Sequence, residues 1–165
     1  MEYLLLIFEF YFVKKRKSLI SIILLPVVLS FFVLFIALTK ITIISIQNIE
    51  GEMITLIGIL LGFTISLFAI LISSNNSQIR EAKNSYIEKK VLGKEISIYD
   101  MLLSGIAYAI IMECILLFIC IVVPLLMQDL NAHKIYFSIL IGSIAHVIII
   151  LLRSVLDFYF TTSKR

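Results

Sequence analysis

MLLSGIAYAIIMECILLFICIVVPLLM, residues 101–127, is an apolar run interrupted by one charged side chain, Glu113. A helix of about 20 residues crosses the ~30 Å hydrocarbon core of a bilayer, and this run is longer than that. Three further windows meet the same requirement: residues 18–39 (SLISIILLPVVLSFFVLFIALT), 53–73 (MITLIGILLGFTISLFAILIS) and 135–158. Inside lipid a segment must satisfy its own backbone hydrogen bonds, so each window is read as a helix. Pro26 and Pro124 are tolerated there, and each can bend its helix. The expected fold is all-α: an integral membrane four-helix bundle forming a single domain over residues 1–165.

Composition agrees. Hydrophobic residues make up 61% of the 165-residue chain, against about 45–50% in soluble domains, and charged residues 15%, against about 25%. Mean hydropathy is +1.12. A soluble globular domain, a disordered chain and a direct nucleic-acid binder are excluded. Cys114 and Cys120 share one apolar run and cannot form a disulfide scaffold. The chain lacks G-x-x-x-x-G-K-[ST], H-E-x-x-H, G-x-S-x-G and C-x-x-C. No enzyme, cofactor or metal site is therefore expected.

The placement of basic residues sets the expected orientation. Lys14, Lys15, Arg16 and Lys17 precede the first span. Arg80, Lys83, Lys89, Lys90 and Lys94 lie between the second and third, and Lys164 and Arg165 in the tail. The opposite side has only Lys40 and Lys134. Both termini and the 74–100 loop are expected to face the cytoplasm, with the chain in the cytoplasmic (inner) membrane. The first span is long, lies behind a 17-residue leader and has no small-x-small cleavage site, unlike a signal peptide.

The leader, residues 1–17, is too short to span. It is expected to form an interfacial amphipathic helix whose basic tetrad contacts anionic lipid, unless those charges serve orientation alone. In the 74–100 loop, SNNSQ offers helix caps, QIREAKNSYIEKK is read as helical, and the stretch around Gly93 as a short hairpin. Such a loop is too small for a core of its own. It is either a solvated connector or a docking surface for a soluble cytoplasmic partner, with Lys89, Lys90 and Lys94 as contacts. ITIISIQNIE, residues 41–50, either extends the first span or lies along the outer interface.

Two constellations stand out. In the second span Gly51, Thr55, Gly58, Gly62, Ser66, Ala69 and Ser73 recur at steps of three and four, making one face of small residues that contains a G-x-x-x-G. This face is either a homo-oligomer seam or pore wall, or a packing surface for the chain's own first or third helix. The second constellation is ionisable. Glu113 lies near the centre of the third span and His146 near the centre of the fourth, where a charge costs ~2.5–3.5 kcal/mol on insertion scales. Ser138, Gly142, His146, Arg153 and Asp157 form a seam running toward the cytoplasmic edge. Arg153 and Asp157 are read as an interfacial pair. Antiparallel third and fourth helices would bring Glu113 and His146 together, either as a structural hydrogen bond or as a proton- or ion-sensitive element.

The block at residues 58–77, GILLGFTISLFAILISSNNS, is followed by a charged helix, a Gly-centred hairpin (VLGKEISIYD) and another apolar span. Over residues 51–128 this pattern resembles small uncharacterised prokaryotic four-helix membrane proteins, some encoded beside antiviral immune genes. The resemblance implies a membrane effector or anchor in phage defence and transfers no functional residue. The expected function is an oligomeric protein that forms or gates a pore. A membrane anchor recruiting a soluble partner through residues 74–100 is the alternative, and a small solute or ion carrier the third reading.

Overall fold

The computed structural model describes the backbone of residues 16–40, 43–91, 94–126 and 129–162. Side chains are described within these segments except at 16–21, 40, 43–48, 87–91, 94, 130, 157, 158 and 160–162. The elements are α1 (Arg16–Lys40), α2 (Ile43–Ser73), α3 (Ser77–Asn84), β1 (Tyr86–Val91), β2 (Lys94–Ser97), α4 (Ile98–Leu126) and α5 (Leu130–Thr162). α1, α2, α4 and α5 are each long and apolar enough to cross a membrane. The chain is a multi-pass membrane protein. Residues 1–15 of the expected interfacial helix, with Lys14 and Lys15, fall outside the described residues, and Arg16 and Lys17 are the first residues of α1.

Each spanning helix starts ahead of its hydrophobic window, because capping groups and burial help decide the boundaries. Residues 43–50 neither extend the first span nor lie apart from the bundle. They form the first turns of α2, and Glu50 at their end is buried. α4 starts on a capping box. Ser97 N and Oγ donate to Asp100 Oδ2 at 3.1 and 2.6 Å, and Asp100 N returns a bond to Ser97 Oγ at 3.1 Å. α5 starts at Asp129, whose Oδ2 accepts from Ala132 N at 3.2 Å. Replacing Ser97 with Ala is expected to lower stability by about 1 kcal/mol in detergent unfolding, the usual value of an N-cap.

The order of packing is α1 on α5, α5 on α4 and α4 on α2, with a lighter α2–α5 contact. Among the described residues α1 and α2 share no comparable contact, so these spans form a row rather than an evenly closed bundle. The main apolar cluster joins Ile57 of α2, Ala109, Leu116 and Cys120 of α4, and Leu140, Ile144 and Val147 of α5. Ile22, Tyr108 and Ile150 form a smaller one that includes α1.

The segment after α2 is a docked foot. Asn76 caps α3 by accepting from Ile79 N at 2.9 Å. The helix expected over residues 78–90 stops at Asn84, and residues 86–91 are strand instead. β1 and β2 pair antiparallel with Tyr86 opposite Ser97 and Val91 opposite Lys94. Ile98 N donates to Ser85 O at 2.9 Å, closing the hairpin where α4 begins. Ile79 and Ala82 are buried with Leu71, Tyr99, Leu102 and Ile106, so the foot borrows its core from the ends of two spans. Burying the Ile79 side chain contributes about 2 kcal/mol. Tyr99 Oη donates to Leu71 O at 3.3 Å, and Lys83 Nζ lies 4.7 Å from the Tyr99 ring centroid.

Candidate functional site

The spans meet through buried polar contacts, each tracing to a backbone or side-chain group that hydrocarbon cannot satisfy. The first begins at Pro26. Proline has no N–H, so the carbonyl four residues earlier loses its helical donor. That carbonyl belongs to Ile22, and His146 Nδ1 lies 3.1 Å from it. A carbonyl can only accept, so Nδ1 carries the hydrogen. In the neutral ring Nε2 is then an acceptor, and it lies 3.2 Å from Tyr108 Oη, which donates to it. One imidazole thus ties α5 to α1 and α4. α1 and α5 approach closely at Gly142. A Cβ built there would fall on Ser30 Oγ, and would lie 2.9 Å from Pro26 O. Ser30 Oγ itself donates to Pro26 O at 3.0 Å.

The second contact is between α2 and α4. Thr64 is fully buried and Glu113 is 1% exposed. Thr64 Oγ1 lies 3.1 Å from Glu113 Oε1 and 2.8 Å from Leu60 O in its own helix. Glu113 Oε2 is buried and, among the described residues, has no hydrogen-bond partner. The expected Glu113–His146 pair does not form. Helix order is the reason: α2 flanks α4 at Glu113, while α1 supplies the stronger claim on His146 through its proline-freed carbonyl.

The third contact was not anticipated from the sequence. His133 Nε2 in the first turns of α5 lies 2.9 Å from Glu50 Oε1 and 3.1 Å from Oε2. The His133 ring also packs edge-on against Tyr136, with centroids 6.1 Å apart. Glu50, Ile57, Thr64 and Leu71 are all buried and fall seven residues apart, two helical turns, so they form the inward face of α2. This heptad step was the signal available in the sequence. Through it α2 is fastened at three heights: Glu50 to His133, Thr64 to Glu113, and Leu71 O to Tyr99.

The outward face of α2 carries the small-residue stripe. Gly51, Thr55, Gly58, Gly62, Ser66, Ala69 and Ser73 are all exposed. A Cβ built at Gly51, Gly58 or Gly62 meets nothing within 4 Å. Thr55, Ser66 and Ser73 turn their hydroxyls back onto carbonyls of their own helix. Among the described residues, packing of this face against α1 or α4 is therefore excluded.

The remaining candidates are dispersed. Ser138 and Gly142 are buried on the face that carries His146, and Arg153 is half-buried farther along. The side chains of Asp157, Arg16, Lys17, Lys89, Lys90 and Lys94 fall outside the described residues. A groove of about 620 Å³ opens between α1 and α5, with Ser30, Ser138, Ser143 and His146 in an otherwise apolar lining. Its three hydroxyls bond to carbonyls of their own helices. Comparison with known proteins returns no family model, no curated protein and no solved structure that matches the chain.

Proposed function

We propose that this protein assembles with copies of itself through the outward face of α2 and forms or gates a membrane pore. The observation that carries this reading is the exposure of all seven small residues along one face of a spanning helix. In lipid, helix association depends on close packing rather than on hydrophobicity, and small residues let two backbones approach. The described polar groups inside each subunit are buried between its own helices, so a water path would run between subunits, along the hydroxyl-bearing α2 faces. Glu113 and His146 then act behind that surface, by setting how α2 and α1 are held, rather than as lining groups. In the setting implied by the resemblance of residues 51–128, such a pore would be a membrane effector of antiviral defence.

Light scattering of the full chain in mild detergent should give a stable homo-oligomer. The pair Gly58→Leu and Gly62→Leu should reduce it to monomer, with loss of conductance in planar bilayers. A strictly monomeric wild type would end this reading. An oligomer that conducts nothing would favour the anchor reading, which the foot formed by residues 77–91 and 94–97 supports as a platform for a soluble partner.

A further inference from the structure

We infer that Glu113 and Thr64 form an intramembrane proton-binding site, in which the Glu113 carboxyl holds a proton and donates it to Thr64 Oγ1. The argument is a hydrogen count. A threonine hydroxyl has one hydrogen and can accept twice. Thr64 Oγ1 faces two oxygens, Leu60 O at 2.8 Å and Glu113 Oε1 at 3.1 Å. The carbonyl can only accept, and its distance is that of a standard O–H···O bond, so the Thr64 hydrogen lies there. A carboxylate at Oε1 would then put two lone-pair-bearing oxygens in contact with no hydrogen between them. A hydrogen on Glu113 removes that conflict. It also turns Oε2, which has no partner among the described residues, into a neutral carbonyl oxygen, far cheaper to bury than part of a charge.

The surroundings fit the same assignment. From α2 the site receives Thr64 and Leu60 O. On α4 the residues one turn away are Ala109 and Leu116, and these cluster with Leu140, Ile144 and Val147 of α5. The titratable residues of that cluster, Cys120 and Tyr136, lie toward the Leu126 end of α4, with Cys120 seven residues or ~10 Å from Glu113 along the axis. His146 is engaged by Ile22 O and Tyr108, and Glu50 and His133 by each other. Arg153 is seven residues beyond His146 on α5. Thr64 is Glu113's hydrogen-bond partner among the described residues. Removing the proton would oblige Thr64 to abandon Leu60 O in order to donate to the carboxylate, so the fastening of α2 to α4 depends on occupancy. The consequence for a pore rests on the function proposed above; the proton site does not.

The test is infrared difference spectroscopy on the full chain in lipid vesicles at neutral pH, with choline as the only added cation. Wild type minus E113Q should show the carbonyl band of a protonated carboxyl, shifted in D₂O and lost in the variant. T64V should move that band to higher frequency, and T64S should leave it in place. Should E113Q fail to fold, the T64V shift carries the test alone, since Glu113 is unchanged there. Superposable wild-type and E113Q spectra in the carboxyl region, or a band that ignores T64V, would overturn the assignment. So would a band abolished by sodium, which would make this a metal-cation site instead.

Discussion

Gly142→Val is expected to part α1 from α5. The added side chain has no space: its Cβ would land on Ser30 Oγ and lie 2.9 Å from Pro26 O and 3.1 Å from Ser30 Cβ. A serine can rotate away, but the Pro26 carbonyl is backbone of a spanning helix and moves only with α1 as a whole. Overpacking of this kind costs about 1–3 kcal/mol. The displacement would also pull Ile22 O from His146, adding about 1 kcal/mol. Together about 2–4 kcal/mol should be lost, read as a shift of the unfolding midpoint in mixed micelles. Gly58→Val and Gly62→Val supply the contrast. Nothing lies within 4 Å of either Cβ, so subunit stability should change by less than about 0.5 kcal/mol while self-association suffers. Equal midpoints for Gly142→Val and wild type would show that the close approach of the two helices is not maintained in the membrane.

His146→Leu should cost about 2 kcal/mol in the same assay, because it strands the buried Ile22 carbonyl and removes the ring's bond to Tyr108. Pro26→Ala supplies the missing control. It returns an N–H four residues after Ile22, so the carbonyl no longer needs the imidazole. The double variant should therefore be more stable than the sum of the single changes implies, by about 1 kcal/mol, in the upper part of the range measured for buried polar contacts in membrane proteins. Strict additivity would mean that His146 and the proline-freed carbonyl are independent, and that the histidine is retained for some other purpose.

The same histidine illustrates how far the sequence could be read. Pro26 and His146 were each visible, and so was the rule that a freed carbonyl in lipid needs a donor. Their pairing was not, because 124 positions of sequence separate Ile22 from His146. Glu113 was likewise visible as a group needing a partner, yet the partner is a threonine on α2 rather than the histidine on α5. The small-residue stripe was legible in full from its three- and four-residue steps. The buried heptad line on the opposite side of α2, Glu50 to Leu71, has its seven-residue step in the sequence, but isoleucine and leucine fill both faces of the helix, so only burial singles it out. The foot was half legible. Asn76 is a local cap signal, whereas the burial of Ile79 and Ala82 against two spans is a tertiary contact that local sequence does not announce.

Length and apolarity alone determined that four helices span a membrane, because hydrocarbon offers the backbone no hydrogen bonds and leaves a segment of that length no other form. Only the tertiary structure decided which helix lies beside which, and with it every polar partnership. In lipid the apolar faces of these helices have nearly equal claims on one another. The order α1–α5–α4–α2 is instead specified by a few local features: the glycine that permits contact at α1, the carbonyl that proline leaves open, and the hydroxyl on α2 that receives Glu113.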